Sequence, residues 1–390
     1  MRGYRRPDGR FGVRNYVLVL SSVGCANHVV DLIAKDIPGA VPLRNAKGCG
    51  QLGRSAQMMS RCLVNLSQNP NVYGTVVVGL GCETMRPHEL AERMRGLSDK
   101  PVYDIAIQEE GGSSATVERG RALVKELVAN AANATTSEMG LGDLVLGTNC
   151  GGSDATSGIA ANPTIGFVSD TVVDACGTVF LGETTELVGT EHILARRAAS
   201  PKVRDDILRL VGTLENDLVA SGVDVRGANP SPGNMRGGLS TLEEKALGGI
   251  SKGGTSKIQQ VIEYGARPSR KGLIIMDTPG YDIESVSGMV AGGAQVVIFS
   301  SGRGTPTGCA LAPVIKVTGN DETFSSMGEN IDFDASGVIT QGESVHDEGK
   351  RLLELLERVC SGEQTASERL SFDDFSLYHN MELWGTCSFS

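Results

Sequence analysis

The chain has 390 residues, a formal net charge of −10, 21% charged and 4% aromatic residues, and 51 glycines. That is nearly twice the usual glycine share of roughly 7%, and without a Gly-X-Y period it excludes collagen. A hydrophobic share of 40% excludes global disorder, and no apolar run approaches the length of a membrane span. An acidic chain without a basic block is a poor binder of nucleic acid or anionic membrane. The opening MRGYRRPDGR has no apolar h-region, and nine cysteines are too sparse for a disulfide scaffold. Both features fit a reduced, cytoplasmic setting.

Up to residue 131, strand and helix signals alternate. Strands are predicted at Tyr16–Val23, Ala40–Leu43, Val72–Leu80 and Val102–Ile107. Helices are predicted at Asn27–Lys35, Ser55–Leu66, Pro87–Leu97 and Thr116–Ala131. Repeated βα units of this length imply a doubly wound parallel sheet. The absence of GxGxxG after the first strand argues against a nicotinamide-binding unit. Small polar residues at 131–142 read as a linker, which divides the chain into an α/β domain at 1–135 and a larger α/β domain at 136–390.

In the second part, strands are expected at Leu144–Leu146, Val179–Leu181, Leu273–Met276, Val296–Ser300 and Val314–Val317. Helices are expected at Thr164–Asp174, Val203–Ala220, Ile258–Tyr264 and Glu343–Val359. Residues 224–254, rich in Gly, Pro, Asn and Ser, read as a structureless stretch, which at that length inside a compact domain is usually functional.

Ligands of open parallel sheets bind outside the carboxyl ends of the strands, and four constellations fall there. Cys25, Cys49 and Cys82 each follow a strand of the first part beside a glycine; with Glu83 or Cys150 they offer a thiolate metal site. His28 lies three residues after Cys25 at a helix start. The loop GTNCGGSDATSG carries Asn149, Cys150, Gly151, Gly152, Ser153 and Asp154, a potential anion nest with Asp154 as metal ligand, base or helix cap. The loop SSGRGTPTG places Arg303, Gly304 and Thr305 after a buried strand, with Lys316 on the next one, and suits carboxylate binding. In the 229–254 stretch, Ser240 and Glu243 fit a capping box, leaving Glu244, Lys245 and Lys252 as acid–base candidates. Glu183, Glu186, Thr190, Glu191 and His192 are lesser candidates.

These motifs resemble a known family. GYRRPDGRFGVRNY, VGCANH, KGCG, GLGCE, IQEEGG, GTNCGGSDATSGIAANP, GNMRGGLSTLEEKALG, GGAQVVIFSSGRGTPTG and GEQTASERL, spanning nearly all of residues 3–370, are similar to the large domain of the altronate dehydratase/galactarate dehydratase family. That family also includes the large subunit of (2R)-sulfolactate sulfo-lyase. The resemblance implies a flavodoxin-like domain followed by a larger α/β domain, and an iron(II)-dependent sugar-acid dehydratase; the three thiolates themselves leave an iron–sulfur cluster as the alternative. Family dehydratases carry a small domain ahead of the GYxRxDGR motif, which here begins at residue 3. The expectation is therefore an oligomeric large subunit working with a separate small one.

Both family reactions are β-eliminations beside a carboxylate. The expected assignments are Asp154, Lys245 and His28 for proton transfer, and Cys25, Cys49, Cys82, Cys150 and Glu83 for metal. Arg14, Lys47, Asn149, Gly151, Gly152, Ser153, Arg303, Gly304, Thr305 and Lys316 are expected to bind a small hydroxy acid. A non-catalytic anion- or metal-binding subunit is the reading from another class.

Overall fold

The computed structural model describes residues 1–51, 53–222, 224 and 229–379. The apolar runs of the first part become strands because they are buried on both faces, as parallel sheets require. β3 (Tyr16–Ser21), β4 (Ala40–Leu43), β5 (Val72–Gly79) and β6 (Val102–Ala106) pair in parallel in the order β4-β3-β5-β6. This is the flavodoxin-like order, wound outward from the first strand. Val17 and Val19 of β3 face the helices Asn27–Ala34 and Ser113–Ala132, while Leu18 and Leu20 face Gly53–Ser67 and Pro87–Arg95.

The second sheet has seven parallel strands. β8 (Val145–Cys150) lies inside it, flanked by β9 (Thr178–Leu181) and β12 (Val296–Ser300). Beyond β9 lie β11 (Gly272–Met276) and β10 (Ile258–Ile262); beyond β12 lie β13 (Val314–Thr318) and β14 (Phe333–Asp334). The chain winds one way from β8 and then returns to wind the other way, placing a topological switch at that strand. One face packs under the helices Asn162–Asp174 and Val345–Cys360.

The other face of this sheet shares its core with the first one. Leu18, Leu20, Leu63 and Met94 belong to one cluster with Phe180, Ile274, Met289 and Phe299. The helices Gly53–Ser67 and Asp282–Ala291 pack together here, and Asn69 Nδ2 donates to the carbonyls of Val290 and Ala294 at 2.8 Å. Their C-terminal ends therefore meet. Each helix starts from the carboxyl edge of its own sheet.

Three expectations need correction. Ile258–Tyr264 is not a helix; its Ile and Val residues form the edge strand β10, parallel to β11. The stretch 131–142 is not a bare linker: β7 (Thr136–Glu138) pairs with β1 (Arg2–Arg5), which also pairs with β2 (Phe11–Gly12). The stretch 224–254 is largely ordered, with helices at Pro232–Arg236 and Leu242–Ile250; residues 225–228 lie outside the description. No helix among the described residues is long and apolar enough to cross a membrane.

Arg14 is likewise not in a binding loop. Its guanidinium forms a bidentate pair with Glu368, at 2.7 and 2.8 Å, and donates to the carbonyls of Val13, Val359 and Glu363. It ties the start of the chain to its last helix. Burial works against the Glu368 carboxylate, but Arg14 outweighs it and holds its pKa below the ordinary value. Breaking a buried pair costs about 3–5 kcal/mol. Arg14→Ala should lower the unfolding free energy in urea by about 3 kcal/mol at pH 7. Because Glu368 is depressed in the folded state, the difference between variant and parent should shrink as pH falls through the acid range.

Candidate functional site

The carboxyl end of β8 is the centre of a buried polar group. Cys150 ends the strand with 2% exposure, and its Sγ lies 2.8 Å from Glu186 Oε2. Glu183 and Glu186 come from the turn after β9. Glu183 adopts a left-handed backbone with φ 64°, held by Thr278 Oγ1 accepting from its N–H. That strained conformation turns its fully buried carboxylate back toward β8, where Oε2 accepts from the Cys150 N–H at 2.9 Å.

Lys252 completes the group. The helix Leu242–Ile250, capped by Thr241, runs into a 3-10 turn that delivers Lys252 with 1% exposure. Its Nζ lies 2.8 Å from Glu183 Oε2, 3.1 Å from Cys150 Sγ and 3.6 Å from Glu186 Oε2. Lys245, from the same helix, reaches Glu186 Oε1 at 3.1 Å and Asn229 Oδ1 at 3.0 Å. Lys245 and Lys252 thus oppose Glu183 and Glu186; Lys252 and both glutamates are buried, where an unpaired charge would be costly, while Lys245 keeps partial access to water.

The charges settle accordingly. Burial disfavours the Lys252 ammonium, yet Cys150, Glu183 and Glu186 raise its pKa well above the usual lysine value. Burial likewise opposes the charge of Lys245, and Glu186 raises it. Burial and the neighbouring Glu186 push Glu183 up. Burial also works against Glu186, but Lys245 and Lys252 prevail and hold it down. Burial and the two glutamates push the Cys150 thiol up.

Asp282, at the first position of the helix Asp282–Ala291, stands on the flank of the group. Asn149 Nδ2 donates to its Oδ1 at 3.2 Å. Gly151 makes this approach possible, since a Cβ there would sit 2.4 Å from Oδ2. Burial, and then the charge of Glu186, push Asp282 up to about 6. Lys245 also borders a cavity of about 180 Å³, which is lined in part by Ser153, Asp154, Ser157, Leu239 and Gly249.

Among the described residues, Cys150, Glu183 and Glu186 are the group whose ligand atoms all lie within 4.8 Å; they could hold a metal ion if Lys252 Nζ, 2.8–3.6 Å from each of them, gave up its place. Glu183 Oε1 is buried there without a hydrogen-bond partner, a free lone-pair site for such an ion.

The sequence candidates divide between the two sheets. Asn149, Cys150, Gly151, Gly152, Ser153, Asp154, Lys245 and Arg303 gather around the second. Asp154 serves as a clasp: Oδ1 accepts from Thr156 and Ser157, and Oδ2 from Asn320. Both oxygens are engaged, so the capping role describes it better than that of a base. Arg303 donates to the Gly233 carbonyl at 3.0 Å, and Thr305 bonds Thr307. Gly304, with φ 80°, lies against Met327. Lys316 braces the same loop from below, donating to the carbonyls of Pro306 and Thr307, and burial lowers its pKa to about 8.

Cys25, Lys47, Cys49, Cys82 and Glu83 lie at the first sheet instead. His28 is exposed there, in a surface groove with Asp31, Lys35 and Arg44. Glu83 is no open ligand, because its carboxylate accepts from Ser22 Oγ and from the N–H groups of Leu80 and Gly81. The expected cap at Ser240 and Glu243 is offset: Glu244 bonds Ser240, and Thr241 caps the helix. Asp282 escaped the sequence reading; its one signal is the Pro-Gly turn after β11.

Comparison with known proteins agrees with this architecture. The family model described as D-galactarate dehydratase/altronate hydrolase, second domain, matches residues 3–132. The one described as D-galactarate/altronate dehydratase, C-terminal, matches residues 141–383. The chain is 34% identical over 389 residues to altronate dehydratase of Bacillus subtilis, covering 97% of this chain and 77% of that one. It is 33% identical over 380 residues to (2R)-sulfolactate sulfo-lyase subunit beta of Chromohalobacter salexigens, covering 96% of each. It is 35% identical over 397 residues to galactarate dehydratase (L-threo-forming) of Escherichia coli, covering 97% and 75%. The chain therefore belongs to the D-galactarate/altronate dehydratase family and is an enzyme of the lyase class.

Proposed function

We propose that the chain is a hydro-lyase, removing water from a sugar acid of the altronate or galactarate type to give a 2-keto-3-deoxy acid. The observation that carries this reading is the pair of lysines set against buried glutamates, one of them bordering a cavity sized for a small hydroxy acid. Taking the proton α to a carboxylate builds an aci-carboxylate dianion, and preorganised positive charge at that point lowers the barrier. Lys245 and Lys252 remain protonated, so they serve as charge donors and not as bases. Lys245 meets the substrate carboxylate at the cavity wall, and Lys252 supports it from behind Glu186.

Asp282, which stands against Gly151 and outside the residues lining that cavity, is the group we assign to proton removal. Asn149 orients it, and its pKa of about 6 leaves a carboxylate at neutral pH with appreciable basicity. Cys150, Glu183 and Glu186 would hold a divalent metal, iron(II) by family resemblance, only in place of the Lys252 ammonium that now contacts all three, and it would supply Lewis acidity that helps an oxygen leave. Hydroxide needs that help more than sulfite does, which favours loss of water. Sulfite elimination from 3-sulfolactate is the second reading, supported by a relative matched over 96% of both chains. We further propose a cytoplasmic setting and a smaller partner subunit, as the subunit name of that relative suggests.

Anaerobically prepared protein with ferrous iron should turn over altronate or galactarate. Sulfite release from 3-sulfolactate with no sugar-acid turnover would establish the second reading instead. Since Asp282 acts as a carboxylate, kcat/KM should rise with pH through about 6. Asp282→Asn should lose this limb and about 10²–10⁴ of the rate. An unchanged acid limb would remove Asp282 from the proton-transfer role. Iron titration of Glu186→Gln should show weakened binding; unchanged affinity would exclude that ligand.

A further inference from the structure

The exposed thiols of the first sheet are the feature that the elimination site leaves unused. Cysteine is among the most often buried residues, yet Cys25, Cys49 and Cys82 are all exposed. They follow β3, β4 and β5, which are neighbours in the sheet, so all three stand at one carboxyl edge.

Their loops are tied to one another pairwise, each time through residues within three positions of a cysteine. Gly24 N–H donates to the Lys47 carbonyl at 2.9 Å, joining the loops of Cys25 and Cys49. Met85 N–H donates to the Gly48 carbonyl at 3.3 Å, joining those of Cys49 and Cys82. Ser22 Oγ donates to Glu83 at 2.7 Å, closing the ring between Cys82 and Cys25. Gly48 permits the closest of these approaches: its φ is +99°, and a Cβ there would lie 2.0 Å from the Ser22 carbonyl oxygen. Glu83, spent on Ser22, Leu80 and Gly81, fixes the ring and adds no ligand of its own.

The three sulfurs are not all within 4.8 Å of one another, the spacing that marks a ready site for a single ion. Three exposed thiols on tied loops at one sheet edge suit a polynuclear centre, since iron–sulfur clusters are held by cysteine thiolates. We propose that Cys25, Cys49 and Cys82 are the protein ligands of an iron–sulfur cluster, separate from the buried group at Cys150. Three cysteines leave one cluster position for a non-cysteine ligand.

The test needs no substrate and so stands apart from the elimination reading. The full chain is reconstituted anaerobically with ferrous iron and sulfide, and bound iron, acid-labile sulfide and visible absorption are measured. Single serine replacements of Cys25, Cys49 and Cys82 are compared with Cys176→Ser, an exposed cysteine elsewhere. The proposal expects labile sulfide and visible absorption in the parent and in Cys176→Ser, and their loss from each of the other three. Thermal unfolding of the sulfide-free proteins should be unchanged, because these thiols bury little surface. It is overturned if the parent binds no sulfide, if sulfide survives the three replacements, or if Cys176→Ser loses it equally.

Discussion

A lysine ammonium buried among a thiol and two carboxylates is the constraint on which this structure turns. Lys252 at 1% exposure can exist only with Glu183 and Glu186 beside it, and those carboxylates only with lysine beside them. A charge removed from water in this way is stable when paired and costly when alone. Meeting that condition accounts for several local oddities at once. Glu183 takes a left-handed backbone, and the helix Leu242–Ile250 ends in a tight turn that points its lysine inward. The switch strand β8 ends on a cysteine whose N–H and sulfur are both engaged.

The wider fold sets this group in place. Two parallel sheets share one hydrophobic core, and side-chain amides stitch the seam: Asn71 Nδ2 donates to the carbonyls of Gln295 and Leu311, each at 2.8 Å. Such a seam holds the sheets as one body, so loops from both carboxyl edges keep their positions relative to each other. Much of the glycine excess serves these edges, where the backbone has to come close to other groups. Gly151 against Asp282 and Gly48 against Ser22 are the clearest cases, because any side chain would collide.

Most of the strands were legible because they are buried on both faces and read as continuous β-branched runs. The sequence KIQQVIEY misled because Ile258, Val261 and Ile262 also satisfy helical spacing, whereas β10 is an edge strand whose outer side carries only the bridge from Ile258 to Ala198. In the site, the glycine-rich loop after β8 stood out through composition. Glu183 and Glu186 did not, since acids after a strand are common and their burial is a tertiary fact. Lys252 lay in a stretch that gave no element by pattern; only the fold shows that its turn points into the core. Asp282 begins a helix, where an acid is ordinary. Arg14 looked like a ligand because its partner Glu368 lies 354 residues away.

The most direct test of the account follows the hydrogen at the carbon α to the carboxylate. With sugar acid deuterated at that carbon and turned over in ordinary water, proton abstraction at the second sheet edge predicts a 2-keto-3-deoxy product free of deuterium. The label should pass to solvent at a rate that falls in step with turnover in Asp282→Asn. Product that keeps the deuterium on the neighbouring carbon, or label released by Asp282→Asn as fast as by the parent, would contradict it.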